Sequence, residues 1–197
     1  MSNGITVIKR NGDKDSLNLE KVHKMVEHAC EGLAGVSASQ VEISSGIQFF
    51  DGIKTSQIQE ILVKSASDLI SLENPNYQYV ASRLLLFDLR KQLNNHYEDH
   101  PFILDHVKKC ADLDVYDKTI IEKYSEEEWK QIDSYIDYGR DYLFSYAGMR
   151  QVVDKYLVQD RSSGELYETP QQMYIMIAAT LFQEYPQETR LDYVRRY

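Results

Sequence analysis

Four residues at the ends of predicted helices and strands could bind an anion. Lys9 closes a predicted strand, Lys21 lies in the first turn of a predicted helix, and Thr55 begins another helix. Lys91 follows Phe87 by four residues, so a cation and an aromatic ring project from one helix face. The phosphates of a nucleotide need cations or backbone N–H groups, and its base needs an apolar or aromatic slot. Each residue alone also fits an ordinary surface or capping role.

Lys21 is the most informative of the four because its position is electrostatically unfavourable. The segment VIKRNGDKDSLNLEKV, residues 7–22, predicts a hairpin closed by Asn11-Gly12 and then a helix capped by Asn18. The helix macrodipole disfavours a cation in the first turn. The position leaves open what this lysine contacts, and a bound anion is one answer.

Other kinds of site are excluded or disfavoured by the sequence. It contains no GxxxxGK[ST] phosphate loop, no GxGxxG after a strand and no HExxH zinc motif. Cys30 and Cys110 have neither metal-ligand spacing nor a nearby catalytic partner, and we expect buried, unreactive thiols. The net charge of −9 argues against nucleic-acid or anionic-membrane partners. The absence of long apolar runs and of a signal-peptide pattern predicts a cytoplasmic protein.

The apolar spacing predicts a mainly helical chain of the α+β class. Strands at 5–9 and 15–17 form a small hairpin, and four helices follow within the first 95 residues. The second helix is predicted to reach Phe49-Phe50, and Ser56 with Gln59 is predicted to form a capping box on the third. Further helices are predicted at 101–111, 119–123, 125–138, 145–156, 170–184 and 187–196, with a hairpin at 156–169. We therefore predict two domains, 1–95 and 96–197.

The order of several motifs resembles the N-terminal part of the class I ribonucleotide reductase large subunit. The resemblance covers essentially the whole chain and is carried by VIKRNG, NLEKVH, IQFFDGIKTSQIQE, NPNYQYVASRLLLFDLRK and FSYAGMRQVVDKYLVQDRSSGELYETPQ. It implies that residues 1–95 are an ATP cone, the allosteric domain that binds ATP or dATP, with Mg²⁺ accompanying the nucleotide. Residues 96–197 would be the helical region that precedes a ten-stranded α/β barrel.

The resemblance also implies which residues contact the nucleotide. Lys9, Lys21 and Lys91 would meet the phosphates, and Phe87 would line the pocket. The full set of implied contact residues is Lys9, Asp15, Ser16, Leu17, Asn18, Leu19, Glu20, Lys21, Thr55 and Lys91.

Three positions depart from the pattern of the family that the chain resembles. Asp15 stands where many members have glutamate. Its side chain is one methylene shorter, which weakens a contact to the sugar or base. Gln59 and Asp88 stand where related sequences often have histidines implicated in sensing dATP. We therefore expect ATP binding with weakened or absent inhibition by dATP.

The cysteines that carry the family's chemistry have no counterpart in this chain, so the resemblance implies a regulatory part and no catalytic residues. Its partners would be the rest of the large subunit, continuous or as a separate chain, and a radical-generating small subunit, in an oligomeric assembly. A split or truncated subunit predicts exposed apolar surface within residues 140–197. The alternative is a stand-alone nucleotide-binding regulatory module without an enzymatic role.

Overall fold

The computed structural model describes residues 4–197, and most of them are helical. The strands are β1 (Thr6–Ile8), β2 (Lys14–Ser16) and β3 (Ile53–Lys54). The helices are α1 (Leu19–Cys30), α2 (Ala38–Gly46), α3 (Thr55–Asp68), α4 (Tyr77–Asn94), α5 (Ile103–Asp112), α6 (Ile120–Lys123), α7 (Glu126–Ser134), α8 (Tyr146–Gln151), α9 (Pro170–Phe182) and α10 (Gln187–Arg196). A 3₁₀ helix covers Tyr138–Leu143 and a π-helical turn covers Val152–Tyr156. The predicted fold class, mainly α with a small N-terminal sheet, is confirmed.

Residue contacts divide the chain into two compact units. The first contains the described residues through Asp88 together with Tyr142–Arg150, and the second contains Leu89–Asp141 with Gln151–Tyr197. None of the helices in residues 4–197 combines the length and the apolar character that a membrane-spanning segment requires.

The sheet of the first unit has the order β2-β1-β3, with β1 antiparallel to β2 and parallel to β3. The Asn11-Gly12 turn forms as predicted, because Gly12 adopts a φ of 89° and its N–H donates to the Lys9 carbonyl over 3.0 Å. Helices α1, α2 and α3 pack in succession. Their buried side chains include Val26, Val41 and Leu62.

Two local predictions for the first unit are wrong, and one short strand was not predicted. Helix α2 ends at Gly46, before the Phe49-Phe50 pair. The Ser56–Gln59 capping box does not form, since Lys54 precedes α3 and its N–H donates to Gln57 Oε1 over 3.0 Å. Strand β3 was not predicted, because its two residues pair with β1 across more than 40 positions of chain.

The second unit has its own apolar core, centred on Trp129, Ile103 and Ile132, which are almost completely buried. Helix α10 packs against α9 and α7, and α5 packs against α7 and α6. Ser125 caps α7 in a capping box with Glu128, whose carboxylate accepts from the Ser125 N–H over 2.8 Å. The predicted turn at Ser163-Gly164 is confirmed by a Gly164 φ of 75°, with a single bridge between Gln159 and Leu166.

A polar network is buried within this core. The Tyr116 hydroxyl donates to Glu168 Oε2, and the Val158 N–H donates to Glu168 Oε1 over 2.8 Å. His106 Nε2 lies 3.2 Å from the Tyr116 hydroxyl. Burial raises the pKa of Glu168 and lowers the pKa of His106 to about 4. Burial therefore disfavours the charged form of each group.

Candidate functional site

One end of the small sheet brings several of the predicted site residues together. The register pairs Ile8 with Lys54, so Lys9 and Thr55 leave two adjacent parallel strands at the same end. Strand β2 runs back beside β1, with Asp15 opposite Val7. As a result, Lys9, Asp15 and Thr55, which are distant in sequence, lie at one edge of the first unit.

Asp15 is the electrostatic centre of this group. Lys9 Nζ lies 2.7 Å from Asp15 Oδ2, and both side chains are about half exposed. The hydrogen bond from Lys9, the Ser16 N–H and the charges of Lys9 and Lys21 hold the pKa of the Asp15 carboxyl below its ordinary value. The same hydrogen bond raises the pKa of Lys9. Lys9 therefore pairs directly with Asp15, and Lys21 acts more weakly on the same carboxylate.

The N-terminus of α1 lies beside these charges. Asn18 caps it as predicted, with its Oδ1 accepting from the Lys21 N–H over 3.0 Å. Within the described residues the backbone N–H groups of Leu19 and Glu20 have no hydrogen-bond partner. The Glu20 side chain turns away to Lys24 Nζ, 2.9 Å distant. Two free amides at a helix N-terminus suit an anion.

The chain between Asp15 and Asn18 is fixed by backbone contacts. Ser16 pairs with Thr6 across the hairpin, and its N–H donates to Asp15 Oδ1 over 2.8 Å. The Leu17 N–H donates to the Ile5 carbonyl over 2.8 Å. This segment therefore holds Asp15 and the start of α1 in a defined position relative to β1.

Lys21 is exposed, and its side chain forms no ion pair with any residue in the described part of the chain. The positive charge of Lys21 helps to lower the pKa of the Asp15 carboxyl, which is the group that pairs with Lys9. The unfavourable position of this cation in the first turn is therefore not relieved by a salt bridge. The residues at this edge fit the charge of a polyphosphate.

Lys91 lies in the last turn of α4, in the second unit. Its Nζ is 5.2 Å from the centre of the Tyr97 ring, a cation–π contact. The grouping of Lys91 with the lysines of the first unit stays a prediction.

The predicted aromatic slot at Phe87 is not formed, because this ring is completely buried. Phe87 packs against His28, with ring centres 5.1 Å apart, and edge-on against Tyr142 at 6.0 Å. The guanidinium of Arg83 lies 5.2 Å from the Tyr142 ring centre. The helical spacing correctly predicts that Phe87 lies in a helix, α4. The side chains that cover its ring belong to α1 and to Tyr142.

Gln59 and Asp88, which the resemblance places where related sequences often have histidines, both have structural partners. Gln59 is buried, and its Nε2 donates to the Leu84 carbonyl over 2.9 Å. Asp88 accepts a charge-assisted hydrogen bond from Arg10. Arg10 was not predicted near the site, since an ion pair across 78 positions leaves no local signal in the sequence.

The cysteines agree with the expectation of unreactive thiols. Cys110 is buried and Cys30 is half-buried. Burial raises the pKa of both thiols to about 11. Both are protonated at neutral pH and are therefore poor nucleophiles.

Two families match separate parts of the chain. Residues 5–92 match the ATP cone domain, and residues 142–197 match the ribonucleotide reductase all-alpha domain. The first match contains every residue of the candidate site described above.

Curated relatives match the chain over its whole length. Ribonucleoside-diphosphate reductase subunit alpha of Haemophilus influenzae is 48% identical over 197 residues, and ribonucleoside-diphosphate reductase 1 subunit alpha of Escherichia coli is 50% identical over 197 residues. The corresponding subunit of Enterobacteria phage T4 is 40% identical over 98% of the chain. The chain spans 26% of the length of the two bacterial relatives and 25% of the phage relative.

Proposed function

We propose that this chain, whose two matched regions are an ATP cone and the all-alpha domain of ribonucleotide reductase, is the N-terminal regulatory part of a ribonucleoside-diphosphate reductase large subunit. The observation that carries the proposal is the match to reductase alpha subunits along all 197 residues. In the assembled enzyme the chain contributes an allosteric site and part of the scaffold. Reduction of ribonucleotides to deoxyribonucleotides takes place elsewhere in the complex, with a small subunit supplying the radical, in the cytoplasm.

The allosteric ligand that we propose is ATP or dATP with Mg²⁺, bound at the edge formed by β1, β2 and the start of α1. Lys9 and Lys21 contact phosphate oxygens, and the free N–H groups of Leu19 and Glu20 add hydrogen bonds. The electrostatics support this assignment because an anion relieves the position of Lys21 at the positive end of α1. We include Lys91 among the phosphate contacts on the family resemblance alone.

We further propose that dATP inhibits the assembled enzyme weakly. A histidine can become positively charged near neutral pH. The Gln59 amide stays neutral, and its Nε2 donates a hydrogen bond to the Leu84 carbonyl. Asp88 adds a negative charge at the second position and is bound to Arg10. Neither residue offers the positive charge that a protonated histidine would offer to a nucleotide.

The alternative function is a stand-alone nucleotide-binding module. The match of residues 142–197 to the reductase all-alpha domain favours the reductase, because a free-standing regulator has no need of that scaffold. A complementation assay decides between them. The E. coli relative is produced without its first quarter, and reductase activity is measured with and without this chain. Activity that depends on the chain supports the proposal, and activity that is unaffected by its omission contradicts it.

A further inference from the structure

Beyond its first turn, which contains Gln171 and Gln172, helix α9 is almost entirely apolar. Of the ten residues from Met173 to Phe182, only Thr180 has a short polar side chain. The inner face packs into the core of the second unit through Met173, Ile175, Met176, Ala178 and Ala179. A surface helix normally carries polar residues on its outer face, and a helix without them is usually covered on both sides.

The outer face of α9 is nevertheless exposed in this chain. Ile177 and Leu181, four residues apart, are 38% and 57% exposed. They border a cavity of about 430 Å³, whose wall also includes the exposed side chains of Tyr156 and Val158. We call this surface the α9 groove, defined by Tyr156, Val158, Ile177 and Leu181. Contiguous apolar surface of this kind marks an interaction site.

The charges of the α9 groove restrict what can occupy it. Its lining includes two acidic residues, Asp117 and Glu168, and contains no lysine or arginine. Both oxygens of Glu168 already accept hydrogen bonds, from Tyr116 and from the Val158 N–H. The remaining lining is mostly apolar. Burial disfavours the charge of Glu168, so the exposed Asp117 supplies the negative charge at the groove border. An apolar segment therefore fits the groove better than an acidic one.

We propose that the α9 groove is the docking surface for an apolar segment of the remaining large subunit. This inference rests on the proposed function. The relatives are about four times as long as this chain, so most of the proposed subunit lies outside it. The groove lies in the second unit, and all four of its defining side chains belong to residues 142–197, which match the reductase all-alpha domain.

The test compares two substitutions with the same chemistry. Leu181→Glu places a charge in the α9 groove. Leu113→Glu places the same charge on a leucine of the same unit that is equally exposed, at 55%, and lies outside the groove lining. Each full-length variant is co-expressed with the E. coli relative lacking its first quarter, and complex formation is measured by affinity capture. Circular dichroism checks folding, and ATP calorimetry tests the first unit independently.

The proposal predicts that the wild-type chain and Leu113→Glu are captured equally and that Leu181→Glu is captured at least tenfold less. Equal capture of all three overturns the docking surface and leaves the proposed function intact. No capture of the wild-type chain, with ATP binding retained, overturns both the docking surface and the assembly. If the wild-type chain alone sediments as a dimer that Leu181→Glu dissociates, a second copy occupies the groove and the proposal is wrong.

Discussion

Lys9 Nζ forms an ion pair with Asp15 Oδ2 at 2.7 Å, and this contact joins β1 to β2 at the edge where α1 begins. The pair is exposed, so its contribution to folding stability is small. The ion pair instead fixes the position of the Lys9 ammonium group. Lys9 is held beside Asp15, and the charge of Lys21 acts on the same carboxylate. The edge therefore presents two lysines toward one position.

Replacing Lys9 with alanine tests whether this edge binds the nucleotide. We expect Lys9→Ala to weaken ATP binding by about 1.5–3 kcal/mol, the usual range for a lost charged hydrogen bond. The control is Lys64→Ala, because Lys64 is also an exposed lysine paired with an aspartate, Asp68, at 2.9 Å. Calorimetry should give an unchanged affinity for the control. Equal affinities for both variants would reject the site.

Replacing Lys91 with alanine tests whether the last turn of α4 belongs to the same site. A phosphate contact predicts that Lys91→Ala weakens ATP binding by about 1.5–3 kcal/mol. Lys109→Ala is the matched control, since Lys109 occupies the last turn of α5 and both substitutions remove a cation from a helix C-terminus. If the two variants bind ATP equally well, Lys91 is outside the site.

The response of the assembled enzyme to dATP tests the role of Gln59 and Asp88. We expect reductase activity to persist at saturating dATP, because neither residue supplies the positive charge that a protonated histidine would supply. The measurement is a dATP titration of activity, with an ATP titration as its control. Strong inhibition at saturating dATP would show that other residues sense it.

Buried His106 predicts a pH-dependent stability of the second unit. Its pKa is lowered to about 4 in the folded chain, against 6.5 in the unfolded chain. The unfolded state therefore binds more protons between these values, and stability falls as the pH drops from 6.5 toward 4, by about 3 kcal/mol in total. Urea unfolding of His106→Gln should show a smaller loss over this range. The exposed His96→Gln serves as control, and parallel profiles for wild type and His106→Gln would contradict the assignment.

Local signals in the sequence predicted most helix starts and turns. Asn18 caps α1 and Ser125 caps α7, because a cap depends on residues within one turn of each other. The Asn11-Gly12 turn needs only a residue that tolerates positive φ. Strand β3 was not predicted because two residues are too few to show an alternating hydrophobic pattern. Its pairing with β1 depends on the three-dimensional fold.

Side-chain roles that depend on distant partners were harder to predict. Gln59 has the spacing of a capping residue but is buried and bonded to the Leu84 carbonyl. Phe87 has the spacing of a pocket residue but lies beneath His28 and Tyr142. The Arg10–Asp88 pair has no signal in the sequence. In each case the partner lies on another element of the first unit.

Titration of the wild-type chain with ATP in the calorimeter tests the central claim most directly. We expect the folded 197-residue chain to bind MgATP saturably. Lys9→Ala should weaken this binding, and Lys64→Ala should leave it unchanged. A chain that is folded by circular dichroism but gives no binding heat at millimolar ATP, with no shift of its unfolding temperature, would contradict it.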